Sequence, residues 1–286
     1  MESGFSIVIP AHNEGAVIER TLRSILANSI DRRVQIIVVA NGCSDDTAER
    51  ARQFDGVEVI ETAVGNKAAA LNIGDQAAQF FPRAYVDADV EVSENLLQRV
   101  ADAFSDPGVR IVSPGVQYIC PGWNPALAGY YRLWQSLPYV RKDLTGRGVC
   151  AIDAGLRRRF AEFPELTADD RFLQNLTRPG ERRIVEECFT RVRMAGTFRE
   201  LLAVKTRWTY GNMELAQRRP ELIQNDREGH RGALRHLIRR PGLWVHVPTF
   251  VFVYGYARLA AKKRLRERRA GWDRAESNRR MQQVGG

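Results

Sequence analysis

Ala84-Tyr85-Val86-Asp87-Ala88-Asp89 is an apolar run that ends in two carboxylates separated by one small residue. The apolar part predicts the end of a buried β-strand. Because alternate side chains of an extended chain share a face, we expect Asp87 and Asp89 to point the same way where the strand ends. Two such carboxylates can hold Mg²⁺ or Mn²⁺ against a diphosphate. A solvated turn is the alternative, because Asp-x-Asp alone is common.

Strand and helix patterns alternate on the amino-terminal side of this stretch. Apolar runs at 5–9, 34–39, 57–60 and 84–86 predict buried strands, and apolar residues between them recur at helical spacing. This alternation predicts an α/β fold in which a mostly parallel sheet carries helices on both faces. A polar segment follows each strand, so these segments meet at one edge of the sheet, where such folds bind nucleotides.

Two common nucleotide-binding fingerprints are missing. No Gly-x-Gly-x-x-Gly follows the first strand, and Gly65-Asn66-Lys67 lacks the spacing of a P-loop. The sequence therefore argues against a dehydrogenase and against a P-loop ATPase.

The positive charge of the 286-residue chain lies in its last part. Its formal net charge is +9, but residues 1–225 sum to −1 and residues 226–286 to +10. This distribution argues against a nucleic-acid-binding protein and for a tail that meets an anionic surface. We therefore expect a domain over 1–225 and a basic helical tail over 226–286.

The cysteines and the first residues indicate the compartment. Four cysteines are scattered without CxxC spacing, which predicts reduced thiols in the cytoplasm. An apolar strand begins within five residues of Met1, and no basic segment followed by an apolar one precedes it. We therefore expect no signal peptide.

Four segments together resemble the family 2 glycosyltransferases of GT-A fold. They are, in order, 6–14 (SIVIPAHNE), 39–47 (VANGCSDDT), 65–72 (GNKAAALN) and 87–89 (DAD). The resemblance covers roughly residues 3–115. It implies a Rossmann-like nucleotide-sugar-binding half over 1–115 and an acceptor half over 116–225.

The resemblance also implies residue roles at the nucleotide sugar. The loop after the first strand would wrap the base and ribose, with Glu14 on the ribose. Asn41 stands where the family usually has an Asp that reads the base, and Lys67 stands where it has a basic residue near the diphosphate. The metal, Mn²⁺ or Mg²⁺, would lie on Asp87 and Asp89. The implied nucleotide-binding residues are Pro10, Ala11, Asn13, Glu14, Asn41, Lys67 and Asp87.

The segment Thr167-Ala168-Asp169-Asp170 resembles the family's Glu-Asp motif, whose Asp is the catalytic base. Ala168 stands at the first position of the motif, so Asp169 or Asp170 would be the base. The register of the following apolar residues does not settle which, and we prefer Asp169. The alternative is that both acids stabilise a helix N-terminus.

Three further features concern the acceptor and the donor. Gly146-Arg147-Gly148 resembles the family's Gly-rich segment beside the donor sugar and acceptor. Trp134 belongs to an aromatic group between Trp123 and Tyr139 that forms either a helix core or an acceptor surface. Arg207-Trp208 resembles a pair that closes over the donor in processive members, which makes Arg207 a candidate for the diphosphate. Val204 replaces the expected Gln, which favours a single-addition enzyme.

The tail contains an apolar segment beside a basic one. Residues 243–257 are nearly all apolar but fall short of the roughly 20 residues that cross a bilayer, and 262–269 read KKRLRERR. This pairing predicts a membrane anchor that lies in the interface. A core helix with a solvated basic extension is the alternative.

The expected function follows from the resemblance. It is inverting transfer of a sugar from a UDP- or GDP-type donor to a hydroxyl or phosphate of a lipid-linked or saccharide acceptor. The enzyme would be peripheral at the inner face of the plasma membrane, in cell-envelope or exopolysaccharide biosynthesis. The alternatives are a non-catalytic membrane-bound scaffold and a nucleotidyltransferase. The latter would carry a Gly-rich basic loop after the first strand, which this sequence lacks.

Overall fold

A computed structural model describes residues 4–120, 124–226 and 231–267. Trp123 and the last two arginines of the basic run therefore lie outside the described residues. The strands are β1 Gly4–Ala11, β2 Arg33–Asn41, β3 Val57–Thr62, β4 Arg83–Val86, β5 Glu91–Val92, β6 Ile111–Ile119, β7 Val149–Ile152 and β8 Arg182–Arg193. The helices are α1 Ile18–Leu26, α2 Thr47–Arg52, α3 Lys67–Ala77, α4 Leu96–Ala103, α5 Pro125–Ser136, α6 Pro138–Lys142, α7 Ala154–Arg157, α8 Asp169–Asn175, α9 Phe198–Arg218, α10 Arg231–Ile238 and α11 Val247–Glu267.

The strands form one sheet in the order β3-β2-β1-β4-β7-β6-β8-β5. β1 to β4 are parallel neighbours, and β6 also pairs with β8 in parallel. β7 runs antiparallel to β4 on one side and to β6 on the other. The α/β fold with a mostly parallel sheet is thus confirmed, and the antiparallel β7 is the feature that shapes the site.

Apolar layers cover both faces of the sheet. Every residue of β1 is buried, as its continuous apolar run predicts. Ile7 packs on one face with Leu22 of α1, whereas Val8 packs on the other face with Leu71 of α3. The helices α1, α2 and α4 lie on the first face, and α3 and α8 lie on the second.

The tail helix α11 packs against α9 and α5. Val253, Ala257 and Ala261 recur at helical spacing on its buried side, and the two alanines allow a close approach. Residues 247–257 of the apolar segment and the described part of the basic run belong to this one helix, whereas residues 243–246 lie in a short 3₁₀ helix before it. Within the described residues, no helix has the length and apolar character needed to span a membrane. The domain boundary at 225/226 stays a prediction.

Candidate active site

The antiparallel β7 brings the Gly-rich segment to Asp87. Its first residue Val149 pairs with Val86, the last residue of β4, so the chain just before β7 lies where β4 ends. There the N–H of Asp87 donates to the carbonyl of Gly148 at 2.8 Å. Gly148 has a φ of +73°, and a Cβ at this position would lie 2.4 Å from Val90 Cγ1. Only glycine therefore fits at Gly148 without strain.

The two carboxylates of the Asp-x-Asp motif lie in a turn and not in extended chain. β4 ends at Val86, and Ala88 and Asp89 form the turn that follows. The expectation that strand alternation aligns Asp87 and Asp89 is therefore wrong, because the strand stops one residue too early. Both residues nevertheless line the same cavity of about 540 Å³.

Lys67 links the Asp-x-Asp motif to the second carboxylate pair. It opens α3, whose first turn is capped by the Asn66 side chain, which accepts from the N–H groups of Ala68 and Ala69. Its Nζ lies 3.0 Å from Asp87 Oδ1 and 3.0 Å from Asp169 Oδ1. Burial alone would lower the pKa of Lys67, but the carboxylates of Asp169 and Asp87 outweigh it and raise the pKa above its ordinary value of 10.5. Lys67 is thus a fixed cation between two acidic groups.

Asp169 and Asp170 open α8 and have different surroundings. Asp170 accepts from the N–H of Gly146 at 2.8 Å and from that of Arg171 at 2.7 Å, so each of its oxygens has a backbone donor. Burial, with smaller contributions from Asp170 and Asp87, raises the pKa of Asp169 despite the nearby Lys67. Burial therefore makes Asp169 easier to protonate than an ordinary aspartate.

Several side chains that the sequence analysis did not single out fix the segment before α8. Asn66 donates to Glu165 at 2.8 Å. Asn72 of α3 exchanges two hydrogen bonds with the backbone of Phe163, at 3.0 and 2.7 Å. The buried Glu214 of α9 accepts from Thr167 through both the N–H and the hydroxyl. Asn66 and Asn72 lie inside segment 65–72, which resembles the family, so the sequence could have pointed to them. No sequence pattern around Glu214 indicates its role.

The loops after β1 and β2 are held together by direct hydrogen bonds. Asn13, whose φ is +52°, accepts from the N–H of Ser44 at 2.8 Å. The N–H of Gly15 donates to Asp45 at 3.1 Å, and the N–H of Glu14 donates to Thr47 at 2.8 Å. These bonds give the paired loops one defined shape.

The residues expected at the base and ribose lie beside the cavity and do not line it. Ala11, Glu14 and Asn41 are buried at or just after the ends of β1 and β2. Asn41 donates to the carbonyl of Ala11 at 2.7 Å, and its buried Oδ1 has no hydrogen-bond partner within the described residues. Pro10 lies closer, lining a small recess with Lys67. The roles of Pro10, Ala11, Asn13, Glu14 and Asn41 stay predictions.

The residues expected at the acceptor and diphosphate do line the cavity. Gly146, Gly148, Trp134 and Arg207 share it with both carboxylate pairs. Tyr130 and Tyr131 of this group are buried in a cluster with Leu201 of α9, and Tyr131 and Tyr139 also line the cavity. Trp134 fits both alternatives, the helix core and the acceptor surface, because it belongs to that cluster and also lines the cavity.

The oxygen ligands at the Asp-x-Asp turn fit a hard divalent cation. The side chain of Asp87 is 42% exposed, and that of Asp89 is half-buried on the same cavity. No group of three His, Cys, Asp or Glu side chains suited to a metal occurs among the described residues. Two carboxylates that share a cavity leave coordination open for oxygens of a ligand.

Comparison with known proteins assigns the family. The sequence profile of glycosyl transferase family 2 matches residues 6–163, more than half of the chain. The chain belongs to glycosyltransferase family 2. It is 30% identical over 131 residues to the glycosyltransferase AglE of Haloferax volcanii, which covers 44% of this chain and 43% of AglE. It is also 30% identical over 114 residues to EpsJ of Bacillus subtilis, which is described as an uncharacterized glycosyltransferase, and this match covers 38% of this chain and 33% of EpsJ. The chain thus spans less than half of these relatives' length.

Solved GT-A structures resemble the whole fold. The mannosyltransferase PcManGT of Pyrobaculum calidifontis, in complex with GDP-Man and Mn²⁺, superposes with a TM-score of 0.57 at 19% identity, covering 98% of this chain and 79% of PcManGT. TarS 1–349 of S. aureus, in complex with UDP, gives 0.53 at 13% identity, covering 94% of this chain and 93% of TarS. The glucosyl-3-phosphoglycerate synthase of Mycobacterium tuberculosis gives 0.53 at 20% identity, covering 76% and 80%. These likenesses confirm the GT-A fold.

Proposed function

We propose that this family 2 member is an inverting glycosyltransferase that moves a sugar from a UDP- or GDP-type nucleotide sugar to a lipid-linked acceptor. The observation that carries this proposal is the meeting of Asp87, Asp89, Lys67 and Asp169 on one cavity. That arrangement places divalent-cation ligands, a fixed cation and a half-buried carboxylate within reach of one substrate. GT-A neighbours bound to GDP-Man with Mn²⁺ or to UDP support the donor class.

Each residue has a defined task in this reaction. Asp87 and Asp89 would hold Mg²⁺ or Mn²⁺, which stabilises the negative charge of the leaving diphosphate. Lys67 donates to the same diphosphate, and Arg207, which lines the cavity, adds a second positive charge. The loops after β1 and β2, with Glu14 and Asn41 at their bases, shape the nucleotide pocket.

The base takes the proton of an acceptor hydroxyl as that oxygen attacks the anomeric carbon, and the bond from this carbon to the nucleoside diphosphate breaks. Asp169 fits this task, because burial raises its pKa and so makes it a stronger base than an ordinary aspartate. Asp170 is held by the two backbone N–H groups that its oxygens accept from. In this assignment Asp170 positions the Gly146 loop beside the acceptor.

The exposed side of the tail favours a membrane-bound acceptor. Trp244, Val245, Phe252 and Leu259 are 56%, 74%, 59% and 71% exposed. Trp244 and Val245 lie just before α11, whereas Phe252 and Leu259 lie on it. Exposed basic side chains follow on α11, namely Lys262, Lys263 and Arg266. An aromatic and apolar face next to positive charge is complementary to an anionic lipid surface.

The buried side of α11 connects this membrane face to the cavity. Phe250 stacks on Tyr130 of α5 with ring centroids 5.7 Å apart, and Val253 packs into the same cluster as Trp134. Gly129 allows the tail to dock, because a Cβ there would lie 2.2 Å from His246 Nδ1. A lipid-linked acceptor could therefore reach the active site while the enzyme stays peripheral at the cytoplasmic face, in cell-envelope or exopolysaccharide assembly.

Turnover by the full chain tests the proposal. Radiolabelled UDP-glucose, UDP-N-acetylglucosamine and GDP-mannose are each incubated with Mn²⁺ and with vesicles that contain polyprenyl phosphate or its diphosphate-linked sugars. We expect one donor to release its nucleoside diphosphate and to label the lipid, and the Asp169→Asn/Asp170→Asn double variant to abolish both. Release of pyrophosphate from a nucleoside triphosphate and a sugar phosphate would indicate a nucleotidyltransferase. Nucleotide binding without turnover in every combination would indicate a scaffold.

A further inference from the structure

Lys205 of α9 is a buried cation that the reaction described above does not use. It is 8% exposed, and its Nζ has no hydrogen-bond partner within the described residues. Nζ lies 3.7 Å from the ring centroid of Trp134 and 4.0 Å from that of Trp208. These aromatic faces attract a cation but cannot accept a conventional hydrogen bond as an oxygen can.

Two acids that line the same cavity as Lys205 are engaged with partners of their own. Glu214 is bonded to Thr167 and lies 3.2 Å from Arg218, and Asp143 pairs with Arg171 at 2.6 Å. Burial lowers the pKa of Lys205 well below its ordinary value, and among the described residues no acidic group opposes the shift. An ammonium in this place is costly unless an anion comes to it.

Lys205 lines the same cavity as Asp169 and Asp170. The ring of Trp208 lies between Lys205 and the Gly-rich loop. The Trp208 ring that flanks Lys205 also packs on the loop, where a Cβ on Gly146 would lie 3.3 Å from Trp208 Cη2. Gly146 in turn donates to Asp170. A molecule that fills the cavity can therefore contact Lys205 and the Asp169–Asp170 pair at once.

We propose that Lys205, between Trp134 and Trp208, binds a phosphate group of the acceptor. The acidic turn at Asp87 and Asp89 attracts the metal cation that accompanies the donor. The unpaired Lys205, in another part of the same cavity, attracts a negatively charged group. The phosphate holds the acceptor in place while a different oxygen of the acceptor, the one that reacts, lies at Asp169. This subsite rests on the proposed function, since it names the acceptor's chemistry in the same cavity.

Phosphate binding to the full chain tests this subsite. UDP or GDP, whichever stabilises the chain, is added to saturation with Mg²⁺ so that phosphate cannot occupy the donor site. Inorganic phosphate is then titrated at constant ionic strength, with glycerol as the uncharged comparison, and tryptophan fluorescence is recorded. We expect a saturable change with phosphate, because Trp134 and Trp208 flank the lysine.

Variants assign the signal to the lysine. Lys205→Met should weaken phosphate binding by about tenfold or more, because a charge-assisted hydrogen bond is lost. Lys205→Arg should keep it within about threefold, since the positive charge remains. Lys142→Met, at an exposed lysine that does not line the cavity, should change nothing. Lys205→Gln replaces the Met variant if the latter does not fold.

Two outcomes separate this subsite from the function on which it rests. Normal nucleotide binding with no saturable phosphate response, or with a response that Lys205→Met leaves unchanged, overturns the subsite alone. A chain that binds neither nucleotide overturns the proposed function as well.

Discussion

The ammonium of Lys67 lies 3.0 Å from Asp169 Oδ1, so the residue that opens α3 pairs with the residue that opens α8. The same Nζ lies 3.0 Å from Asp87 Oδ1. One cation therefore joins the proposed metal turn to the proposed base. Because its acidic neighbours raise the pKa of Lys67, its side chain stays protonated and positively charged at neutral pH.

Removing this cation should weaken donor binding. In Lys67→Met, Asp87 and Asp169 lose their shared partner, and a bound diphosphate loses a charge-assisted hydrogen bond. We expect the affinity for UDP or GDP with Mg²⁺, measured by titration calorimetry, to fall by about tenfold or more. Lys142→Met is the matched control. Equal affinity in Lys67→Met and the wild type would show that Lys67 does not contact the diphosphate.

Single variants of the acidic pair should separate their roles. Asp169→Asn should lower kcat by about a hundredfold to ten-thousandfold while nucleotide binding stays near the wild-type value, because only proton removal is lost. Asp170→Asn should change the acceptor KM more than kcat, because Asp170 accepts from the N–H of Gly146. Steady-state kinetics measure both variants, with the donor that the turnover assay identifies. The reverse pattern would make Asp170 the base.

Gly148→Ala should destabilise the fold. A φ of +73° and a contact of 2.4 Å with Val90 both oppose a Cβ, so we expect a loss of about 2 kcal/mol or more in the free energy of unfolding. Gly180→Ala is the control, because a Cβ there meets no atom within 4 Å. Chemical denaturation measures both. A Gly148→Ala variant as stable as the control would show that the turn rearranges freely.

The depressed pKa of Lys205 makes a pH-dependent contribution to stability. Between its folded-state pKa and the ordinary value of 10.5, the unfolded chain binds one more proton than the folded chain, so stability rises with pH. Lys205→Met should therefore raise the Tm at pH 7, and its advantage should shrink toward pH 10. A difference in Tm that is independent of pH would contradict this.

The exposed face of α11 should carry membrane binding. Phe252→Glu combined with Leu259→Glu should reduce binding to phosphatidylglycerol vesicles by about tenfold or more in a flotation assay, because two apolar side chains no longer enter the interface. Val64→Glu is the control, because Val64 is an exposed apolar residue that lies outside the tail. Phosphatidylcholine vesicles should bind weakly, since they lack the negative charge that the basic residues attract. Unchanged binding of the double variant would remove the tail from the account.

The first four strands and their helices could be predicted because each apolar run is local in sequence. β1, for instance, is buried along its whole length, and only a strand covered on both faces requires that. The alignment of Asp87 and Asp89 could not be predicted, because the residue at which β4 stops depends on its pairing with β7. The packing of the tail was also hidden, since Val253 is buried by residues of α5 and α9 that are distant in sequence.

The chemistry of Lys205 was equally inaccessible from the sequence. A single lysine on a helix predicts a solvated side chain, and the tryptophans around it come from α5 and α9. Asp87 and Asp89 were found from the apolar run that precedes them, whereas the resemblance supplied Asp169 and Asp170 as a motif. Partners that come from distant segments, such as Glu214 for Thr167, require the fold.

The most direct test of the central claim is a thermal-shift panel of the full chain with UDP, GDP, CDP and dTDP, each with and without Mn²⁺. A ligand that binds only the native state raises the Tm by mass action. We expect UDP or GDP to raise the Tm only when Mn²⁺ is present, and Asp89→Asn to abolish the increase. No increase with any nucleotide, or an equal increase in Asp89→Asn, would contradict the claim that this cavity binds a nucleoside diphosphate through a metal at the Asp-x-Asp turn.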